Sequence, residues 1–183
     1  MRPRTYKELL RAVQQKMLER TGLRLGKSHL RELLAAACGC NNWAGLISGY
    51  VLLDCGQPPP DITTRKITRR CVQLGYDETQ SSVISAALAG LLHDEGIFAM
   101  HTRDLISVVR AVKIPGYLPA TQHQNLDDEY PSAVNDEALP EFVDDLTHSA
   151  LARHGLEELA AKGNADATAA LRLLKLPSLE VVM

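Results

Sequence analysis

Four cations crowd one short stretch of the chain: Arg65, Lys66, Arg69 and Arg70. In a helix, residues four apart share a line, so Arg65 and Arg69 fall on one line and Lys66 and Arg70 on the next. A helix of this kind can lie along a phosphate backbone, each neutralised phosphate steepening the salt dependence of binding by about one unit. Lys7 and Arg11, also four apart, would help. The competing reading is a solvated face, or a patch neutralised by acids elsewhere. Residues 1–72 hold 13 of the 20 Lys and Arg but only 5 of the 22 Asp and Glu, so a chain of net charge −2 is divided into parts of +8 and −10. Such polarisation predicts a basic contact surface near the N-terminus, or a basic part that faces the acidic part within one molecule or between copies.

Other residue sets invite chemistry and fall short of it. Gly26-Lys27-Ser28 resembles the end of a phosphate-binding loop, but Thr21 stands where the first glycine is needed, and the loop must follow a strand. Here a helical pattern precedes it. Glycine for the bend, lysine in solvent and serine for a helix cap explain the triplet. Cys38 and Cys40 are separated by one residue and have no second matched pair, whereas structural zinc sites place two to four residues between paired cysteines. Cys38 reads better as a small apolar residue. His29, His93, His101, His123, His148 and His154 are scattered, and none sits in a glycine-framed nucleophile turn. The carboxylate pairs Asp136-Glu137 and Asp144-Asp145 lie at an acidic helix start, where the helix dipole alone favours them. The expectation is a protein that is not an enzyme, with no cofactor and no metal.

The elements that would position the basic residues follow from periodicity. Tyr6, Leu10, Val13 and Met17 mark one face of a helix over about Thr5–Arg20. Ser28 is the expected cap of a second helix with Leu30, Leu33, Leu34 and Ala37 inside, ended by Gly39. Asn42 caps a third, carrying Trp43, Leu46, Ile47, Tyr50 and Val51. Asp61 or Thr63 caps the basic fourth helix, which ends near Gly75. Asp77 and Gln80 form a capping box for a hydrophobic fifth helix, stopped by Gly96, and Thr102 caps a sixth that runs to Pro115. One helix is expected over about Pro140–His154, then a pair over Leu156–Lys162 and Ala165–Leu174. Ile97–Met100 suits a short strand, but one strand makes no sheet.

The class is therefore all-α: a helical bundle of short helix-turn-helix units, closing on a C-terminal helical hairpin. Aromatic residues make up only 4% of the chain, so the core must be aliphatic. Gln57-Pro58-Pro59-Pro60 is a stiff connector. The expected organisation is an N-terminal helical unit over 1–56, a second over 61–113, a linker over 114–134 and an acidic helical segment over 135–176. The turns Cys38–Trp43 and Leu74–Thr79 occupy equivalent places in two such units, which suggests either a duplication or shared turn physics. No apolar run is long enough to span a membrane. Met1-Arg2-Pro3-Arg4 opens on an amphipathic pattern, and the expectation is a cytoplasmic protein with reduced thiols.

Ser28-His29, Leu33, Ala36, Gly39, Trp43 and Leu46 resemble a short helical module of bacterial glyoxalase-related proteins and of accessory proteins of plasmids and integrated elements. In those proteins tyrosine or phenylalanine usually follows the glycine; Cys40 stands there in this chain. The likeness covers residues 28–46 and includes no metal site, so it implies a bacterial accessory or regulatory protein and no activity. Residues 159–171 look like half of a helical-repeat unit. The first reading is thus a non-enzymatic regulatory or accessory protein that contacts DNA through Arg65, Lys66, Arg69 and Arg70, helped by Lys7 and Arg11. Its acidic part would bind a protein partner or its own basic part. The alternative is a protein-interaction adaptor that binds no nucleic acid.

Overall fold

Turn chemistry sets where the helices of this chain stop. The computed structural model describes residues 3–55, 64–114 and 139–175. In chain order these form α1 Tyr6–Thr21, α2 Lys27–Ala37, α3 Trp43–Gly49, β1 Tyr50–Leu53, α4 Thr64–Gln73, α5 Glu78–Asp94, β2 Phe98–His101, α6 Thr102–Lys113, α7 Leu139–His148, α8 Ala150–Ala161 and α9 Ala165–Leu174. The protein is predominantly all-α, as the periodicity predicts. Helix α2 ends where Gly39 turns left-handed, at φ 78°, and the amide of Cys40 reaches back to the Ala35 carbonyl at 2.8 Å. Helix α4 ends the same way, with Gly75 at φ 90° and the Tyr76 amide on the Cys71 carbonyl at 3.1 Å. Both are Schellman closures, which satisfy carbonyls left open at a helix end. The chain repeats this closure at Ile97 on Leu92 and at Asn164 on Leu159. The likeness of the first two turns is therefore common turn physics and gives no evidence of duplication.

Two caps form as expected. The Asn42 side chain accepts from the Gly45 amide at 2.7 Å, and Asp77 and Gln80 make a full capping box. Two expected caps are corrected. Helix α2 begins two residues early, so Gly26 takes the cap position without a side-chain bond and Ser28 lies exposed in the first turn. The cap of α6 is His101, whose Nδ1 accepts from the Arg103 amide at 3.2 Å. Thr102 is buried instead, its hydroxyl accepting from Asn164 at 3.3 Å. The single helix expected over Pro140–His154 is two helices. Ser149 separates them because its hydroxyl accepts from the Ala152 amide at 3.0 Å and so starts α8 anew.

A small sheet is the main departure from the expectation. Tyr50 and Val51 leave the third helix and open β1, which pairs antiparallel with β2 in the register Tyr50↔His101 to Leu53↔Phe98. Alternate side chains of a strand point to opposite faces. Here Leu52 enters a core built from α1, α2, α3, α4 and α5, while Val51 and Leu53 enter a second core with Phe98, Leu105, Val109, Phe142 and Leu156. Both faces of β1 are apolar, so it shows no polar alternation. Tyr6 joins the two sides, its ring edge-on to Trp43 and His154 with centroids 6.2 and 5.4 Å away. The Gln57–Pro60 connector, the Asp61 and Thr63 caps and nearly all of the 114–134 linker lie outside the described residues.

Candidate nucleic-acid interface

Helix α4 buries only Ile67 and Cys71, four residues apart. Arginine, lysine and glutamine are good helix formers, and this narrow apolar stripe docks the helix between α2 and α5. On the α5 side, Thr68 donates to the buried hydroxyl of Ser85 at 2.8 Å, which in turn donates to the Ser81 carbonyl at 2.6 Å. On the α2 side, contacts fix an antiparallel register. Beyond the end of α4, Tyr76 Oη meets His29 Nδ1 at 2.8 Å. In the last turn Arg70 meets Glu32 at 2.9 Å. At the first turn, the Lys66 ammonium lies by Gly39.

The four cations of α4 consequently divide. Arg70 is held by the Glu32 carboxylate and by the Asn41 carbonyl, and Glu32 also accepts from the Trp43 amide at 3.3 Å. Arg70 thereby ties α4 to the turn between α2 and α3. Arg65, Lys66 and Arg69 are exposed and make no ion pair among the described residues. Lys7 and Arg11 are also exposed, but on α1, which carries a second basic spot on a different helix. The sequence argument passed over Arg24, Lys27 and Arg31, which are exposed at and before the first turns of α2; the four-residue spacing of Lys27 and Arg31 was the available signal. The Arg31 guanidinium stands 5.8 Å from the Trp43 ring centroid, in cation–π range.

The thiols beside this face are held in the protonated form by their surroundings. Burial pushes Cys38 up to about 12. Burial also raises Cys40, with the Lys66 charge pulling the other way. A thiol must be deprotonated to act as nucleophile or metal ligand, and both stay protonated at neutral pH. His29 Nδ1 is engaged by the Tyr76 hydroxyl at 2.8 Å. Among the described residues no group of three or more His, Cys, Asp or Glu side chains could hold a metal ion, and no helix is long and apolar enough to cross a membrane. No family model, curated protein or solved structure matches this chain.

Proposed function

We propose that this protein is a non-enzymatic regulatory or accessory protein that contacts DNA through the exposed face of α4. One observation carries the reading: Arg65, Lys66 and Arg69 share that face with no acidic partner among the described residues. Arg70 fixes the helix in place, and Lys7 and Arg11 add a second contact. The acidic part of the chain would meet a protein partner, and four free thiols suit a reducing cytoplasm. The alternative reading as an adaptor gains nothing from the C-terminal hairpin, because Ala167 and Ala170 of α9 are already buried within the second core.

The three phosphates neutralised by α4 contribute about −2.7 to the slope of log affinity against log salt, a loss of roughly 40-fold between 50 and 200 mM, and Lys7 and Arg11 add to it. Fluorescence anisotropy with a labelled duplex measures the slope. The combined change of Arg65, Lys66 and Arg69 to Ala should reduce its magnitude by about 2.7, leaving only what Lys7 and Arg11 contribute. Binding that ignores salt, or a triple variant with the parental slope, would refute the proposal.

A further inference from the structure

The side chains that share the face of α4 with its free cations are of kinds that read base edges. At 3.6 residues per turn, Arg65, Arg69, Val72 and Gln73 fall within an arc of about 100°, opposite the buried stripe of Ile67 and Cys71. All four are exposed. Val72 is the most exposed large apolar side chain among the described residues, at 59%. Val72 and Gln73 stand beyond Arg69 at the C-terminal end of the arc. A helix built only to grip phosphates has no need of an apolar side chain there.

Resting on the DNA-binding reading, we propose that α4 enters the major groove of duplex DNA, that Arg69, Val72 and Gln73 read base pairs at a specific site, and that Arg65 and Lys66 hold the flanking phosphates, Arg69 joining them in gripping phosphate on non-specific duplex. The chemistry matches the groove. Arginine bonds guanine O6 and N7, glutamine bonds adenine N6 and N7, and an apolar side chain packs on the thymine methyl. The dimensions match as well. A helix is about 10–12 Å across with its side chains, which fits a groove about 12 Å wide. Arg69 and Gln73 are separated by about 6 Å of helix rise, just under two base-pair steps of about 3.4 Å. They would therefore read positions one or two steps apart. The partner is thus double-stranded DNA of defined sequence, because the major groove of RNA helices is too deep and narrow for side chains to read.

Selection of a randomised duplex library by the full chain, followed by sequencing, tests this. An enriched motif should appear. Val72→Ala, Gln73→Ala and Arg69→Ala should each relax discrimination at one position by about 5- to 150-fold. Val72→Ala and Gln73→Ala should lower the affinity for the enriched duplex more than for non-specific duplex, whereas Arg65→Ala should weaken all duplexes alike and reduce the salt slope by about 0.9. Both Val72 and Gln73 are exposed in a helix, so alanine there preserves the fold. Salt-dependent binding without enrichment would overturn the groove-reading role and leave the phosphate grip standing. A motif indifferent to Val72 and Gln73 would overturn it too. Binding of single-stranded RNA or of a protein in place of duplex DNA would remove both readings.

Discussion

Alanine at Gly155 tests how the two cores are joined. Gly155 is buried in α8. A Cβ there would overlap the Tyr6 hydroxyl oxygen and meet Tyr6 Cζ and Val51 Cγ1 at 3.1 Å each. Two effects of opposite sign compete. Alanine gains about 1 kcal/mol over glycine in a helix interior. Overpacking a filled core costs about 1–3 kcal/mol, and the upper end applies because Tyr6 cannot swing aside. Its ring is flanked by Trp43 and His154, and its hydroxyl lies 3.5 Å from the Leu52 amide. The net expectation is a destabilisation of about 2 kcal/mol, a fall in Tm of roughly 4–8 °C for a chain of this size. Urea unfolding of the parent, Gly155→Ala, Tyr6→Phe and the double variant isolates the cause. Removing the hydroxyl removes the worst overlap, so Gly155→Ala should cost about 1–2 kcal/mol less in the Tyr6→Phe background. Effects that add within about 0.5 kcal/mol, or a stabilised Gly155→Ala, would show that the Tyr6–Gly155 contact does not limit packing.

Two further perturbations probe the basic face and the buried hydroxyl. Glu32→Gln removes the charge that holds Arg70 while keeping an acceptor for the Trp43 amide; stability should fall by about 1 kcal/mol, yet the freed Arg70 should steepen the salt slope of duplex binding by about 0.9. An unchanged slope would mean that Arg70 cannot reach a phosphate. Burial raises Tyr6 from 10.0 to about 12, so between these values the unfolded chain releases a proton that the folded chain keeps. The contribution is fully present below pH 10 and is lost as pH rises through 12, about 3 kcal/mol in all. Cys38, raised from 9.0 to about 12, acts in the same direction from pH 9. Tyr6→Phe should flatten the decline between pH 10 and 12, and parallel unfolding profiles for parent and variant would contradict the assignment.

Helix positions were legible because they rest on local chemistry. Asn42, the Asp77–Gln80 box and the glycines at 39, 75 and 96 act within a turn of themselves, and the sequence displays such signals directly. The strand β1 was hidden because its signal is not local. Tyr50–Leu53 is a run of apolar residues continuous with α3, and only the presence of cores on both sides of it makes such a run a strand. The break at Ser149 was hidden for a related reason. Phe142, Val143, Leu146, Leu151 and Leu156 continue the apolar pattern through it, while a side-chain cap at Ser149 and its bond to Asp54 after β1 interrupt the backbone. At the basic face, the four-residue spacing found all the cations of α4, but the separate fate of Arg70 depends on Glu32, 38 positions away.

The fate of the acids decides whether that face is open. Lys16 pairs with Glu95 and Arg20 with Asp94, so the C-terminal end of α5 neutralises the last turns of α1. Asp144 and Glu158 lie beside histidines on their own helices. Among the described residues the one carboxylate paired on α4 is Glu32, which belongs to the basic part itself. Exposed pairs of this kind add about 0–1 kcal/mol each to stability, so their larger consequence is where they leave charge uncancelled. At physiological ionic strength the field of a charge decays over about 8 Å. Acids that do not touch α4 therefore do little to offset the cations presented by Arg65, Lys66 and Arg69 to a phosphate at contact distance. The small net charge of the whole chain is compatible with a locally positive α4, and salt-dependent binding should follow the cations of that helix.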